Sequence, residues 1–261
     1  MNASIRYEDV SIGYRTRQGL RTVVTGITAD LQRSQLTCLL GRNGAGKSTL
    51  LRTLAAFQPP LAGTIFINGR RQQDYTPREL AQQLSVVLTE RPDVQQMTAW
   101  EMVAMGRAPH TGFWGRLGDD DEQVVDEAIA QVGIGNLADR QVTTLSDGER
   151  QKVMIAKALA QQAAVICLDE PTAFLDYPSK VETMLLLRRI CHEQQKTVFL
   201  STHDLELALQ VADCLWLLED STTLNIGTPR QLADSGCLRQ FIEHGGAEFD
   251  AASLTIRVKG F

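Results

Sequence analysis

The sequence predicts an α/β fold in which a mostly parallel β-sheet forms the core and a helical segment is inserted between its strands. First, apolar runs at 35–40, 163–168 and 197–201 have the length of strands that are buried on both faces of a sheet. Second, a stretch with helical periodicity at 179–195 joins the last two runs, which is the β-α-β alternation of a parallel sheet. Third, apolar residues recur at helical spacing between about residues 76 and 162, where we expect the insert.

The composition is that of a globular protein and excludes several classes. The chain has 261 residues, 43% of them hydrophobic and 22% charged, which fits one large domain or two small ones. Its net charge of -5 argues against a nucleic-acid-binding surface, because such domains usually carry a basic stripe. No apolar run approaches the roughly 18 residues that cross a bilayer, and the N-terminal segment lacks a secretory signal pattern. We therefore expect a soluble, non-secreted chain without a nucleic-acid partner.

The N-terminal elements follow from alternation and turn residues. Strand-like pieces at 4–10 and 22–31 precede the apolar strand at 35–40, with polar turn residues between them. A helix is predicted over 48–56, because a Pro-Pro pair soon afterwards ends the helical pattern. A strand at 64–67 then leads into an Asn-Gly turn.

Within the insert, the apolar spacing predicts four helices. They are expected at 77–84, 98–107, 121–132 and 148–161. Three consecutive aspartates open the third helix, where the positive end of the helix dipole favours them. Since no linker or internal repeat separates core and insert, we interpret both as parts of one unit.

A phosphate-binding motif lies between the first buried strand and the helix after it. The motif is G-x-x-x-x-G-K-S/T, and it is complete. Its residues, with the threonine that follows, are Gly41, Arg42, Asn43, Gly44, Ala45, Gly46, Lys47, Ser48 and Thr49. The glycines let backbone N–H groups point at one phosphate, Lys47 is expected to contact the β- and γ-phosphates, and Ser48 to bind Mg²⁺. Taken alone, this phosphate loop leaves kinases, GTPases and ATPases open.

Two acids, Asp169 and Glu170, end the apolar run at 163–168. In phosphate-loop enzymes an acid at such a strand end holds Mg²⁺, and Asp169 fits that role. Glu170, one residue further, is placed to polarise an attacking water as general base. A solvated strand end would also explain two acids, but the complete phosphate loop earlier in the chain favours the catalytic interpretation of this acid pair.

Residues 145–151 read Leu-Ser-Asp-Gly-Glu-Arg-Gln and resemble the signature of the ABC transporter ATPases, usually written L-S-G-G-Q/E. The Asp-Glu-Pro-Thr segment, Asp176 after Ala-Phe-Leu, and His203 within Ser-Thr-His-Asp are similar to later segments of that family, in the family's order. The resemblance covers about residues 4–235. It implies a phosphate-loop NTPase core with a mostly parallel sheet, an antiparallel β subdomain near the N-terminus and an inserted helical subdomain.

The resemblance also implies one ABC ATPase domain over residues 1–261. Its core, with the antiparallel β subdomain, would comprise residues 1–88 and 163–245. The helical subdomain would be 89–162, and a C-terminal extension would follow at 246–261.

The family resemblance assigns roles to several site residues. Tyr14 would stack on the adenine of ATP, Asp176 would belong to the D-loop, and His203 would bond the γ-phosphate and the attacking water beside Glu170. The signature segment would contact ATP held by a second copy, which implies a head-to-tail homodimer around two ATP molecules. This segment comprises Ser146, Asp147, Gly148 and Glu149. Independently of the family, Ser146 is expected to be the N-cap of the helix that starts at Gly148.

Two positions depart from the family pattern. Asp147 stands where the signature usually has glycine, and a carboxylate beside a triphosphate is unfavourable unless it points away. Thr89 stands where the family has a glutamine that binds Mg²⁺. Because a threonine hydroxyl reaches less far, we expect metal contact through water, or through the neighbouring Glu90.

A segment within the insert resembles one group of the family. Residues 106–112 read Gly-Arg-Ala-Pro-His-Thr-Gly and are followed by Phe113 and Trp114. They are similar to a segment of importer ATPases for iron–siderophore complexes, haem and vitamin B12, which lies near the cleft that accepts a permease helix. Exposed aromatic residues would suit such an interface. The alternative is that these residues pack the loop onto its own domain.

Two classes of function remain at this point: the energising subunit of a transporter, and a soluble ABC-type ATPase that acts on DNA, ribosomes or cluster assembly. The second class would favour twin cassettes, a coiled-coil insert or a basic face, which the sequence lacks. We therefore expect an ATPase that uses ATP and Mg²⁺ to energise import of haem, a siderophore complex or cobalamin, with a different imported substrate as the alternative. The expected partners are a second copy, a two-fold permease and, indirectly, a substrate-binding protein, at the cytoplasmic face of the plasma membrane.

Overall fold

Strands and helices alternate along the chain, and the computed structural model describes them over residues 3–16, 19–89, 96–112, 115–243 and 246–258. The strands are β1 (Ala3–Thr16), β2 (Gly19–Gln32), β3 (Leu36–Gly41), β4 (Ala62–Ile67), β5 (Arg70–Arg71), β6 (Leu84–Val87), β7 (Val165–Asp169), β8 (Thr197–Ser201), β9 (Cys214–Leu218), β10 (Leu224–Gly227), β11 (Ala247–Asp250) and β12 (Thr255–Val258). The α-helices are α1 (Lys47–Leu54), α2 (Pro77–Gln83), α3 (Ala99–Ala104), α4 (Asp119–Gln131), α5 (Asp147–Ala160), α6 (Tyr177–Glu193), α7 (Leu205–Val211), α8 (Pro229–Asp234) and α9 (Cys237–Ile242). The predicted α/β fold is confirmed.

A mostly parallel sheet forms the centre of the molecule, with the strand order β10-β9-β3-β8-β7-β6. β3 pairs in parallel with β8 and β9, and β7 pairs in parallel with β6 and β8, whereas β10 is antiparallel to β9. The strands β3, β7 and β8 are buried along their whole length, as their continuous apolar sequences predict. Because parallel strands end at one edge, the segments after β3, β6, β7 and β8 meet there.

An antiparallel sheet, with the order β2-β1-β4-β5, lies with α1 on one face of the parallel sheet. The apolar layer between them includes Tyr7 and Trp216, whose rings meet edge to face with centroids 5.6 Å apart. β1 continues to Thr16, beyond the predicted end at residue 10. A bulge explains the difference, because the pairing register shifts between Tyr7 and Val10 and Asp9 has a φ of 50°.

Helices cover the other face of the parallel sheet. The insert helices predicted at 98–107, 121–132 and 148–161 are present as α3, α4 and α5, and their apolar sides share one buried layer with α6 and the sheet. The helix predicted at 77–84 is α2, whose Leu80 packs instead in the layer under the antiparallel sheet. The stretch from 76 to 162 is not helical throughout, because β6 lies within it and pairs with β7. Of the helices in the described part of the chain, none has the length and apolar character of a membrane span.

Candidate functional site

The phosphate loop connects β3 to α1 at the shared strand edge, as predicted. β3 ends at Gly41 and α1 begins at Lys47. Gly46 between them has a φ of 108°, and a Cβ at this position would lie 2.6 Å from Val23 Cγ1, so the chain needs glycine here. Within the described residues no side chain caps α1, which leaves its first N–H groups available to an anion.

Lys47 is held inside the loop and is only 5% exposed. Its Nζ donates to the carbonyl oxygens of Gly41 at 3.0 Å and Arg42 at 3.4 Å, and lies 3.3 Å from His203 Nε2. Burial lowers the pKa of Lys47, and the carboxylates of the acid pair partly oppose that shift. The ammonium is thereby fixed beside the loop, where it can meet a phosphate.

Asp169, the last residue of β7, collects hydrogen bonds from three segments. Ser48 Oγ donates to its Oδ1 at 3.0 Å, and Ser201 Oγ donates to the same oxygen at 2.7 Å. Thr89 Oγ1 donates to its backbone carbonyl oxygen at 2.7 Å. The ends of β6, β7 and β8 and the start of α1 are therefore tied together at one residue, Asp169.

Ser201 is a site residue that was not predicted from the sequence. It lies directly opposite Asp169 in the parallel register of β7 and β8, and it is fully buried. The available signal is a hydroxyl at the last position of an apolar strand, next to the Thr-His-Asp segment. This signal is weak alone, because only the strand order places Ser201 beside the acid pair.

Glu170 follows in a left-handed backbone conformation, with a φ of 51°. Its N–H is held by Ser201, through the carbonyl oxygen at 3.2 Å and Oγ at 3.0 Å. Its Oε1 lies 2.5 Å from Nε2 of His203, which follows β8. The two predicted catalytic residues are therefore in direct contact, and the backbone turns the Glu170 side chain toward the phosphate loop.

Tyr14 lies beside the phosphate loop on β1, where it pairs with Arg21 of β2. Its hydroxyl is hydrogen-bonded to Thr49 Oγ1, and 41% of the residue is exposed, so a ring face is open to a base. A cavity of about 350 Å³ joins this ring to the loop. It is lined by Tyr14, Arg21, Val23, Asn43, Gly44, Gly46, Lys47, Ser48, Thr49 and Glu170. Arg21 was not predicted, and Ala45 packs instead against the apolar layer.

The signature segment opens α5, and Ser146 is its N-cap as predicted, although the helix begins one residue earlier, at Asp147. Ser146 Oγ accepts a hydrogen bond from the Glu149 N–H at 3.3 Å. The Glu149 carboxylate in turn accepts from the Ser146 N–H at 2.8 Å and Oγ at 2.9 Å, which lowers the pKa of Glu149. Asp147 lies 3.7 Å from Arg150. In the part of the chain that is described, none of the four signature residues lines the cavity beside the phosphate loop.

Asp176, the predicted D-loop residue, and Asp204, which was not predicted, have local structural partners. Asp176 is the N-cap of α6, and its Oδ1 accepts from the Ser179 N–H at 3.1 Å. Asp204, next to His203, accepts from Thr172 Oγ1 at 3.0 Å and from Lys180 Nζ at 3.1 Å. These bonds fix the segments that follow β7 and β8. Glu90 lies outside the described residues.

The segment at 106–112 is partly explained by internal packing. A Cβ on Gly106 would lie 2.3 Å from the carbonyl oxygen of Lys157 on α5. Arg107 is 6% exposed, and it donates to Asp121 Oδ1 and to the Ala160 carbonyl oxygen, both at 2.8 Å. The first residues of this segment therefore lock α3 against α4 and α5. The predicted contact residues Phe113 and Trp114 lie outside the described part of the chain.

The sequence profile of the ABC transporter family matches residues 24–173. The chain belongs to the ABC transporter family. This ABC ATPase is 41% identical to an uncharacterized ABC transporter ATP-binding protein of Methanocaldococcus jannaschii, over 87% of this chain and 77% of that protein. The predicted family, ATP binding and ATPase class are confirmed.

Other relatives of this ABC ATPase have named cargoes. The iron(3+)-hydroxamate import ATP-binding protein FhuC of Bacillus subtilis is 32% identical over 92% of this chain and 88% of its own length. The ferric enterobactin transport ATP-binding protein FepC of Escherichia coli is 35% identical over 88% and 83%. Among solved structures, a chain of an inward-facing metal-chelate type ABC transporter superposes with a TM-score of 0.76 at 28% identity, over 88% of this chain and 85% of that one.

Proposed function

We propose that this ABC ATPase energises the import of an iron chelate (haem or a siderophore complex) or of cobalamin through a membrane permease. Similarity over most of the chain to ATP-binding proteins named for iron(3+)-hydroxamate import and ferric enterobactin transport carries the choice of cargo class. The Gly-Arg-Ala-Pro-His-Thr-Gly segment at 106–112 supports the same group. The meeting of four strand ends around the phosphate loop supports ATP hydrolysis as the source of energy.

In this proposal the chain's own groups divide the work of hydrolysis. Lys47 and the free N–H groups of α1 hold the phosphates, and Tyr14 stacks on the adenine. Glu170 takes a proton from water while the water oxygen bonds to the γ-phosphorus, and the bond from that phosphorus to the bridging oxygen breaks to leave ADP. His203, in contact with Glu170 Oε1, orients this carboxylate and donates a hydrogen bond to the γ-phosphate.

We propose Ser48 and Asp169 as the Mg²⁺ ligands. Their oxygens lie 3.0 Å apart beside Lys47, and a hydroxyl with a carboxylate is a hard-oxygen pair of the kind that Mg²⁺ prefers. Mg²⁺ bound there would neutralise charge on the phosphates. Thr89 fits less well as a direct ligand, because its hydroxyl faces the backbone carbonyl oxygen of Asp169 and not the carboxylate oxygen that Ser48 contacts.

The proposed assembly is a head-to-tail homodimer on a two-fold permease, served by a substrate-binding protein. One chain supplies one phosphate loop and one signature segment, so the segment at 146–149 and the D-loop residue Asp176 would complete the site of a second copy. The chain would lie at the cytoplasmic face of the plasma membrane. We retain the boundaries 1–88 and 163–245 for the core, 89–162 for the helical subdomain and 246–261 for the extension.

Gene deletion in the source organism tests the cargo. We expect uptake of labelled ferric hydroxamate, haem or cobalamin to fall to background, and to be restored by the wild-type gene but not by Glu170→Gln. The purified Glu170→Gln protein should bind ATP normally and turn over at least about 10²-fold more slowly, the scale of lost general-base catalysis. A deletion strain that takes up all three compounds at the wild-type rate would exclude this cargo class.

A further inference from the structure

A small cavity lies beside the acid pair, between α5 and the segment that follows β7. Its volume is about 40 Å³. Gln151 and Met154 of α5 line one side, and Thr89, Asp169 and Glu170 line another. Since one water needs roughly 10–15 Å³ of such space, the cavity has room for ordered water. It connects the helix that begins at the signature segment with the hydrolytic carboxylate of the same chain.

Gln151 brings a buried polar atom to this region. Its Nε2 is shielded from solvent and has no hydrogen-bond partner among the described residues. Buried amide donors are almost always paired with protein or ordered water, so an orphan donor requires an explanation. A water in the adjoining cavity would supply the acceptor.

We propose that Gln151 holds a water in this cavity and, through that water, positions Glu170 for hydrolysis. The amide nitrogen donates to the water, and the water donates to the Glu170 carboxylate and to Thr89 Oγ1. Thr89 can accept because its own proton goes to the Asp169 carbonyl oxygen. Three partners are typical of a well-bound internal water. Gln151 is thus a positioning residue that acts on the general base.

This arrangement places the side-chain amide of Gln151, which lies on α5, in the same cavity as Thr89. Thr89 itself is too short to do what a glutamine at its position would do, and Gln151 reaches the same cavity from α5. Because α5 also carries Ser146 at its N-cap, a shift of this helix would move Gln151 and its water relative to Glu170. The inference rests on the role proposed for Glu170 in hydrolysis, and its test must separate the two.

The test compares three variants of the full chain with Glu170→Gln. Gln151→Met keeps the side-chain length without polar atoms, and should lower kcat about ten-fold, the scale of a hydrogen bond to a charged group. The KM for ATP should stay within about two-fold, because Gln151 lies away from the phosphates. Gln151→Asn, which keeps the amide, should have a kcat between those of Gln151→Met and the wild type. Met154 lines the same cavity, and Met154→Leu should leave kcat and KM unchanged.

Thermal unfolding separates positioning from packing. Gln151→Met replaces the amide and its bound water by an apolar side chain of similar length, so its unfolding midpoint should not fall while its kcat does. A kcat near that of the wild type would overturn the inference, provided that Glu170→Gln is inactive. Equal losses of kcat in Gln151→Met and Met154→Leu, with lowered midpoints, would also overturn it, because the cavity would then matter only as packing. A Glu170→Gln protein that hydrolyses ATP normally would instead refute the proposed role of Glu170, and the inference with it.

Discussion

The N-termini of α1 and α5 are the two helix ends that the sequence places in contact with ATP, the second through the family resemblance, and the fold builds them in opposite ways. At α1 the N-cap is Gly46, no side chain within the described residues caps the helix, and its first turn contains the buried cation Lys47 and no acid. At α5 the side chain of Ser146 is the cap, and Asp147 and Glu149 place two acids in the first turn.

The difference shows when a helix N-terminus can hold a phosphate. The N–H groups and the dipole are common to both helices, so the side chains around them decide. At α1 no side chain of the described residues caps the helix in competition with a ligand, and the full positive charge of Lys47 assists binding. At α5 the capping box between Ser146 and Glu149 uses the cap hydroxyl, and the acids repel a phosphate. The first end can bind ATP by itself, whereas the second, in the proposed dimer, would only add to a site already formed by a second copy.

Removing the cation of the α1 site should have the largest effect. Lys47→Ala is expected to weaken ATP binding by about 10²-fold, because a charged contact with the phosphates contributes about 3 kcal/mol. Calorimetric titration with ATP measures the dissociation constant of each variant. Lys152→Ala, which removes a lysine of α5 that pairs with Glu182, is the matched control and should bind like the wild type. Equal weakening by both substitutions would show that the two helix ends do not differ as described.

The second largest effect should be the difference in ATP hydrolysis between losing the Ser48 hydroxyl and losing the Thr89 hydroxyl, which both donate to Asp169. Ser48→Ala should reduce ATP hydrolysis about ten-fold at limiting Mg²⁺, because it removes a proposed ligand and a 3.0 Å bond to the carboxylate. Thr89→Ala should reduce it less than about three-fold, because Thr89 donates only to a backbone carbonyl. Steady-state rates over a Mg²⁺ titration distinguish them. An equal collapse at saturating Mg²⁺ would make Thr89 a direct metal ligand.

Loss of the α5 cap should lower stability and, unlike loss of a cap elsewhere, should also slow ATP hydrolysis, because Ser146 belongs to the signature segment. Ser146→Ala is expected to cost about 1 kcal/mol and to lower the thermal midpoint by about 2–4 °C. Thr228→Ala removes the equivalent capping box of α8 and should cost a similar amount without changing ATP hydrolysis. Calorimetry and an ATPase assay on both variants provide the comparison. If Ser146→Ala hydrolyses ATP as fast as Thr228→Ala does, the signature segment has no part in the reaction.

The smallest change concerns the acid that departs from the family signature. Asp147→Asn should raise ATP hydrolysis about two- to five-fold at low salt, because it removes a charge near the phosphates, and the gain should shrink as salt screens the charge. The same substitution should slightly destabilise α5, since the helix dipole favours an acid there. Asp120→Asn in the first turn of α4 is the control for that second effect. A rate that falls at every salt concentration would contradict repulsion by Asp147.

Residues that are consecutive in the chain were predicted most completely. The phosphate loop needs a strand, glycines and a helix in immediate succession, so its local pattern sufficed, as did the Ser146 cap. The predicted end of β1 at residue 10 was wrong. The bulge at Asp9 interrupts the alternation of buried and exposed residues, and the strand continues beyond it to Thr16. Ser201 and Arg21 were missed because their places at the site depend on strand partners and not on their neighbours in sequence.

By itself the sequence determined the α/β class, the phosphate loop, the acid pair and the family, because each of these follows from spacings within short segments and from the order of those segments along the chain. The tertiary structure alone decided which distant groups share an oxygen or a cavity. The order of the parallel strands brings Ser48 and Ser201 to one carboxylate oxygen of Asp169, and Thr89 to its backbone carbonyl. The packing of α5 against that edge brings Gln151 to the same place. Local sequence constrains backbone conformation, but the contacts between segments follow from how the buried faces of the whole chain fit together.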